Sequence, residues 1–239
     1  MSDVTFDFQR RERIGLGEAV LCAGKTPQQI GETIALARAG DASLLLTRLS
    51  PEGFARLTPE EQASLDYDPH SRTAVLGGAL RQPRDAVQVA VVTAGTSDLP
   101  VAREAIRTLA VYGVGAREIA DVGVAGLWRI LRHEDELRRY PVVIVVAGME
   151  GALFSVVAGL VGGVVIAVPT STGYGAARQG ETALHAALAS CAPGLVTVNI
   201  DNGYGAASAA LRVLGAHGRQ TGSEPQLAEA SPALPGVSN

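Results

Sequence analysis

Two residues in this sequence join a reactive side chain to a backbone setting that exposes it. Cys191 follows the helix-forming stretch GETALHAALAS and precedes Ala192-Pro193-Gly194. Proline and glycine end a helix, so the thiol falls at a bend, where a nucleophile is accessible. Most free cysteines are instead small buried hydrophobes, and that is the reading for Cys22 on an N-terminal apolar run. Glu150 sits in Ala147-Gly148-Met149-Glu150-Gly151-Ala152, just after the apolar run VVIVVA. A carboxylate in so apolar a stretch needs a partner, and a helix start favours its ionised form. Its chemistry would be to activate water or to hold a divalent ion, with helix capping as the structural alternative.

Three further loops gather polar side chains between an apolar run and a helix. Thr93-Ala94-Gly95-Thr96-Ser97-Asp98 would hold a phosphate on backbone N–H groups and the Ser97 hydroxyl, unless Ser97 or Asp98 only caps the helix. Pro169-Thr170-Ser171-Thr172-Gly173-Tyr174-Gly175 packs hydroxyls and glycines where an anion or sugar would fit; the alternative is an ordinary glycine turn. Asn199-Ile200-Asp201-Asn202-Gly203-Tyr204-Gly205 collects amides and a carboxylate, which also reads as a turn with Asx caps. His70, His133, His185 and His217 lack ligand spacing, so histidine and cysteine pairs build no zinc site. Gly24-Lys25-Thr26 matches the end of a P-loop but lacks its earlier glycine, which argues against a nucleoside triphosphatase.

These loops need a scaffold, and the hydrophobic pattern supplies one. The 239 residues are 47% hydrophobic but 4% aromatic, with 28 glycines, a composition that suits an α/β core of Ala, Val, Leu and Ile around tight turns. From Val87 the pattern alternates: strands VQVAVVT, AREIAD, VVIVVA, VVIAV and VTVNI are separated by helices over 97–112, 126–139, 151–161 and 180–189, and a last helix covers 205–214. Continuous apolar strands between helices imply a doubly wound parallel sheet with both faces covered. In such a sheet the ligand site lies where strands end.

Residues 1–82 read as a small α/β domain and linker, with strands at 18–22 and 43–47 and helices opened by Thr26-Pro27, Ser50-Pro51 and Thr58-Pro59. The sheet domain then spans 83–216. Residues 217–239 are rich in Pro, Ser, Gly and Gln and predict a disordered tail. A formal net charge of -4 without like-charged blocks predicts no nucleic-acid partner. The start MSDVTFDFQRRER lacks the apolar core of a signal peptide, and glycines and Glu150 interrupt the longest apolar run, so the expectation is a cytoplasmic protein with no membrane partner.

TAGTSD and AGMEGA, with the sheet pattern over Val87 to Leu214, make the second domain similar to the amino-imidazole ribonucleotide carboxylase (mutase) fold. Asp121-Val122-Gly123-Val124-Ala125-Gly126 stands where that family has a histidine-arginine pair. Over both domains GKTPQQI, TRLS, TAGTSD, ADVGVAGLWR, AGMEGAL, PTSTGYG, SCAPG and NIDNGYGA, in that order, resemble the LarB family of nickel-pincer cofactor biosynthesis. That resemblance implies a pyridinium-3,5-biscarboxylic acid mononucleotide synthase. Such an enzyme carboxylates the ring of nicotinic acid adenine dinucleotide with carbon dioxide (bicarbonate) and hydrolyses the phosphoanhydride to release AMP, for lactate racemase maturation.

The implied ring chemistry needs a thiolate adduct, for which Cys191 of SCAPG is the candidate. For the hydrolysis, Glu150 with a divalent metal, Mg2+, is the candidate, and Asp121 is a second carboxylate. Ser97, Asp98, Asp121, Thr172, Gly173, Gly175, Asp201 and Asn202 are the expected substrate-binding set. The fold relatives imply a homo-octamer with sites between protomers. Two rival readings are a purine-pathway amino-imidazole ribonucleotide carboxylase, indifferent to loss of Cys191, and a non-catalytic dinucleotide-binding module.

Overall fold

The computed structural model describes residues 4–77, 80 and 87–220, with 216–220 described by backbone alone. Most of the expected linker, and the tail beyond Gln220, lie outside the described residues.

The N-terminal half carries α1 (Arg10–Ile14), β1 (Ala19–Leu21), α2 (Pro27–Ala39), β2 (Leu44–Thr47), α3 (Pro51–Ala55), α4 (Pro59–Ala63), β3 (Leu65–Asp68) and β4 (Thr73–Leu76). The Pro-led helices start where capping chemistry predicts. Thr26 Oγ1 accepts from Gln29 N–H at 3.2 Å while Gln29 Oε1 accepts from Thr26 N–H at 3.0 Å, and Thr58 and Glu61 repeat that exchange. Four strands form a sheet in the order β1-β2-β4-β3, with β1 parallel to β2 and the other pairs antiparallel. Ile30, Ile34 and Ala37 of α2 are buried with Leu44, Leu46 and Leu76 of the sheet.

The β3–β4 hairpin was not expected from the sequence. Its turn, Asp68 to Ser71, looks like polar loop, yet Asp68 accepts from the His70 and Ser71 N–H groups at 3.2 and 3.1 Å and closes it.

The second half contains β5 (Val89–Thr93), α5 (Leu99–Val111), β6 (Ala116–Ile119), α6 (Trp128–Leu131), α7 (Glu134–Leu137), β7 (Val142–Ala147), α8 (Ala152–Leu160), β8 (Val164–Pro169), α9 (Glu181–Leu188), β9 (Leu195–Thr197) and α10 (Gly203–Gln220). All neighbours in the sheet order β6-β5-β7-β8-β9 are parallel. Every residue of β5 and β7 is buried, as their apolar runs require, with Thr93 the one polar side chain at the end of β5. Ala102, Ala105 and Leu109 of α5 and Ala206, Ala207 and Ala210 of α10 cover one face. Ile130, Leu137, Leu153, Phe154, Val157, Ala183 and Ala187 cover the other, completing a doubly wound α/β sheet.

Three expectations change in detail. The helix foreseen over 126–139 breaks at Arg132 and His133 into α6 and α7. The one foreseen from Ser97 begins at Leu99, after a 3-10 turn at Thr96–Asp98. The last helix starts at Gly203 and its backbone runs to Gln220, into the segment expected to be disordered from 217.

The two halves dock through α5 and the loop after β9. Arg107 donates from Nε to Thr73 Oγ1 at 2.7 Å and from Nη2 to the Asp66 carbonyl at 2.9 Å. Arg48, just past β2, donates to the Asp201 carbonyl at 2.8 Å. Gly17 N–H donates to the Tyr112 hydroxyl at 3.0 Å.

Candidate active site

A cleft of about 600 Å3 opens where the strand-end loops of the second half face the N-terminal half. This is where a doubly wound sheet presents ligand groups, and the size is in the range of ligand pockets, about 300–1,000 Å3. Ser97, Thr172 and Asp201 of the expected set line it.

Asp98 is buried and turned inward. Its Oδ2 accepts from Gly95 N–H at 2.9 Å, and its Oδ1 accepts from the Thr170 and Thr172 hydroxyls at 2.7 and 3.2 Å. It therefore ties the loop after β5 to the loop after β8 and positions Thr172. The N–H groups of Ala94, Gly95 and Asp98 are spent inside the protein, on Val146, Asp98 and Gly95, while Ser97 lines the cleft.

Gly173 is buried where the loops after β7 and β8 meet; a Cβ there would lie 3.0 Å from Met149 N. Gly175 has φ +58° and open space around it, so its need is conformational. Asp201 Oδ1 accepts from Ser171 N–H at 2.8 Å, and Asn202 Oδ1 accepts from Gly205 N–H at 2.8 Å. Asn202 thus plays the capping part weighed for it, while Asp201 joins two cleft loops. Asp121 stands apart, exposed after the edge strand β6, with Oδ2 3.2 Å from Arg129 Nη1.

Neither Cys191 nor Glu150 lines the cleft, and the two lie at different places: Glu150 is in the loop that follows β7, on the strand-end side, and Cys191 precedes β9. Cys191 is exposed in the connection between α9 and β9, on the entry side of its strand, whereas the cleft loops follow their strands. Ser190 Oγ lies 2.8 Å from Ser155 Oγ, which binds the Cys191 turn to the first half of α8, the helix Glu150 leads into. Glu150 itself is exposed, so burial imposes no partner on it, contrary to the argument from its apolar neighbours. Among the described residues no three His, Cys, Asp or Glu side chains gather as a metal site. A lone exposed carboxylate is not a resident Mg2+ cage. Cys22, by contrast, is buried, and burial pushes its thiol up to about 12.

The cleft also contains groups that sequence reasoning passed over. Glu104 of α5 is 4% exposed and its Oε2 accepts from Tyr204 N–H at 3.2 Å, at the start of α10. Burial pushes its carboxyl up to about 7, against the lowering pull of the Tyr204 N–H, Arg48 and the Gly203 N–H. A buried acid near neutrality in a cleft is a marker of function, yet an acid on an amphipathic helix gives no sign of it in sequence. Lys25, Arg48, Arg56 and Arg72 supply positive charge from the opposite wall.

Residues 88–230 match the family described as AIR carboxylase, which agrees with the parallel sheet order and supports a carboxylase-type enzyme of that superfamily. Residues 1–78 match the LarB/PurE-like N-terminal domain, and with the two in tandem the chain belongs to the LarB family. It is 37% identical over 208 residues to an uncharacterised protein of Methanocaldococcus jannaschii, covering 84% of this chain and 79% of that one. No helix among the described residues is long and apolar enough to cross a membrane.

Proposed function

We propose that this chain carboxylates the pyridinium ring of nicotinic acid adenine dinucleotide and hydrolyses its phosphoanhydride, giving pyridinium-3,5-biscarboxylic acid mononucleotide and AMP. The observation that carries the reading is the exposed thiol of Cys191, held by the Ser190–Ser155 contact to the helix behind Glu150.

A pyridinium ring is too electron-poor to attack carbon dioxide. Addition of the Cys191 thiolate sends an electron pair to the ring nitrogen and leaves an enamine. The enamine carbon then forms a bond to carbon dioxide. Loss of the proton from that carbon restores the enamine, and expulsion of the thiolate restores the aromatic cation, so one proton leaves for each carboxylate gained. Hydrolysis adds one water across the phosphoanhydride, and in this reading Glu150 takes its proton. Mg2+ belongs to this reading as a companion of the substrate phosphates, not as a resident of the chain.

Cleft and thiol are separate on one chain, so in this reading copies assemble, up to the octamer of the fold relatives, and one copy's thiol serves a neighbour's cleft. Leu127 just before α6, Trp128 and Leu131 on α6, and Leu188 on α9 are exposed, apolar surface that such an assembly would cover.

The test is incubation of the pure protein with nicotinic acid adenine dinucleotide, bicarbonate and Mg2+, followed by mass spectrometry. A product heavier by one carboxylate, together with AMP, is expected from the native chain and is expected to vanish in Cys191→Ala. Turnover of an amino-imidazole ribonucleotide that survives Cys191→Ala would replace this reading with the purine-pathway one. Tight dinucleotide binding without AMP release would reduce the chain to a binding module.

A further inference from the structure

We propose that Lys25, Arg56 and Arg72 of the N-terminal half form a subsite for a diphosphate group, facing Ser97 and Thr172 across the cleft. The proposal rests on the nucleotide reading above and gives the N-terminal half a task within it.

The three cations come from separate segments, the turn after β1, the residue after α3 and the β3–β4 turn, and only the tertiary fold brings them to one wall. They are also uncommitted. Among the described residues none of the three has an ion pair or a side-chain hydrogen bond, whereas Arg13 and Arg38 of the same half are bound to Asp7 and Glu60. Arg48 belongs to the same wall, but its Nη2 is engaged, donating to the carbonyls of Ile200 and Asp201.

The backbone holds the cations in place. Arg72 sits at φ 54°, a conformation that side chains resist, and is kept there by Leu49 N–H donating to its carbonyl at 2.8 Å. Lys25 directly precedes Thr26, the cap of the 13-residue α2, so the positive end of that helix dipole adds to its charge.

The acids nearby do not cancel this wall. Glu52 is its single carboxylate against three cations, and its carboxyl is held below the usual range, first by its own backbone N–H and the Ser50 hydroxyl and then by Arg72 and Arg56. Asp201 has one carboxylate oxygen engaged by Ser171 N–H. A patch of exposed, unpaired guanidinium and ammonium groups at one side of a cleft suits phosphate oxygens, which arginine grips in pairs and lysine as a point charge.

The experiment titrates the full-length chain with ADP, inorganic pyrophosphate and adenosine by calorimetry, for the native protein and for Lys25→Gln, Arg72→Gln and the double variant. All three cations are exposed, so the variants are expected to melt at the native temperature. ADP and pyrophosphate are expected to bind and adenosine to bind far more weakly, and each substitution is expected to weaken ADP binding by about tenfold or more. ADP binding that is the same in all variants, or no binding of ADP or pyrophosphate at millimolar concentration, overturns the subsite. The carboxylation assay on the same variants separates the two ideas. Product formation with an unchanged KM in the double variant sinks the subsite and leaves the function standing. ADP binding lost in the variants, while the native chain makes no carboxylated product, keeps the subsite and sinks the function.

Discussion

Glu104 shows how burial turns an ordinary carboxylate into a pH-sensitive group. Its folded pKa is raised from 4.5 to about 7, so between those values the folded chain binds more protons than the unfolded one. The stability that comes from the protonated form is complete below pH 4.5 and is lost as pH rises through 7. The full shift is on the order of 3 kcal/mol. Glu104→Gln keeps the shape and removes the titration. Its melting temperature is expected to drop less than that of the native chain between pH 5 and pH 8, in parallel scans; equal slopes would show that Glu104 does not titrate in this window. At this scale the sequence marked Ser97, Thr172 and Asp201 by their loops. It left Glu104 unmarked, because its role depends on α10 arriving against it 100 residues later.

At the scale of elements, α5 and α10 must pack closely for Glu104 to meet the start of α10, and Gly203 permits it. A Cβ at Gly203 would lie 2.9 Å from Glu104 Oε2 and 3.0 Å from Ala105 N. Gly203→Ala is expected to destabilise the fold by about 1–3 kcal/mol, since packed backbone cannot yield. Gly159 in α8 has nothing within 4 Å of such a carbon, and Gly159→Ala is expected to stabilise by about 0.5–1 kcal/mol. Chemical denaturation of the two variants checks both signs. The parallel sheet was legible because its central strands are almost wholly apolar, whereas the β3–β4 hairpin was not. Its first strand, LDYD, has only one fully buried residue, and its turn looks like loop until Asp68 is seen binding two backbone N–H groups.

At the scale of the whole molecule, the separation of Cys191 from the cleft makes shared sites a measurable matter. Cys191→Ala and Asp98→Ala are each expected to lose most activity, the first for want of the thiol and the second because the Thr170–Thr172 loop loses its anchor. Unfolded together in equal amounts and reassembled, they are expected to recover about a quarter of the native rate if each site draws its thiol and its cleft from different copies. No recovery would mean that one chain carries a whole site.

By itself the sequence determined the doubly wound sheet, the loops at its strand ends, the capped helices of the N-terminal half and the motifs of the family. These are written in local periodicity and turn chemistry, which short stretches of chain carry on their own. Only the tertiary structure decided that Asp98 faces inward, that Glu104 is buried near neutrality, that Glu150 is exposed, and that Lys25, Arg56 and Arg72 share a wall. Each of these depends on which distant segment packs alongside, and burial and charge proximity follow from that packing, not from the neighbours in the chain.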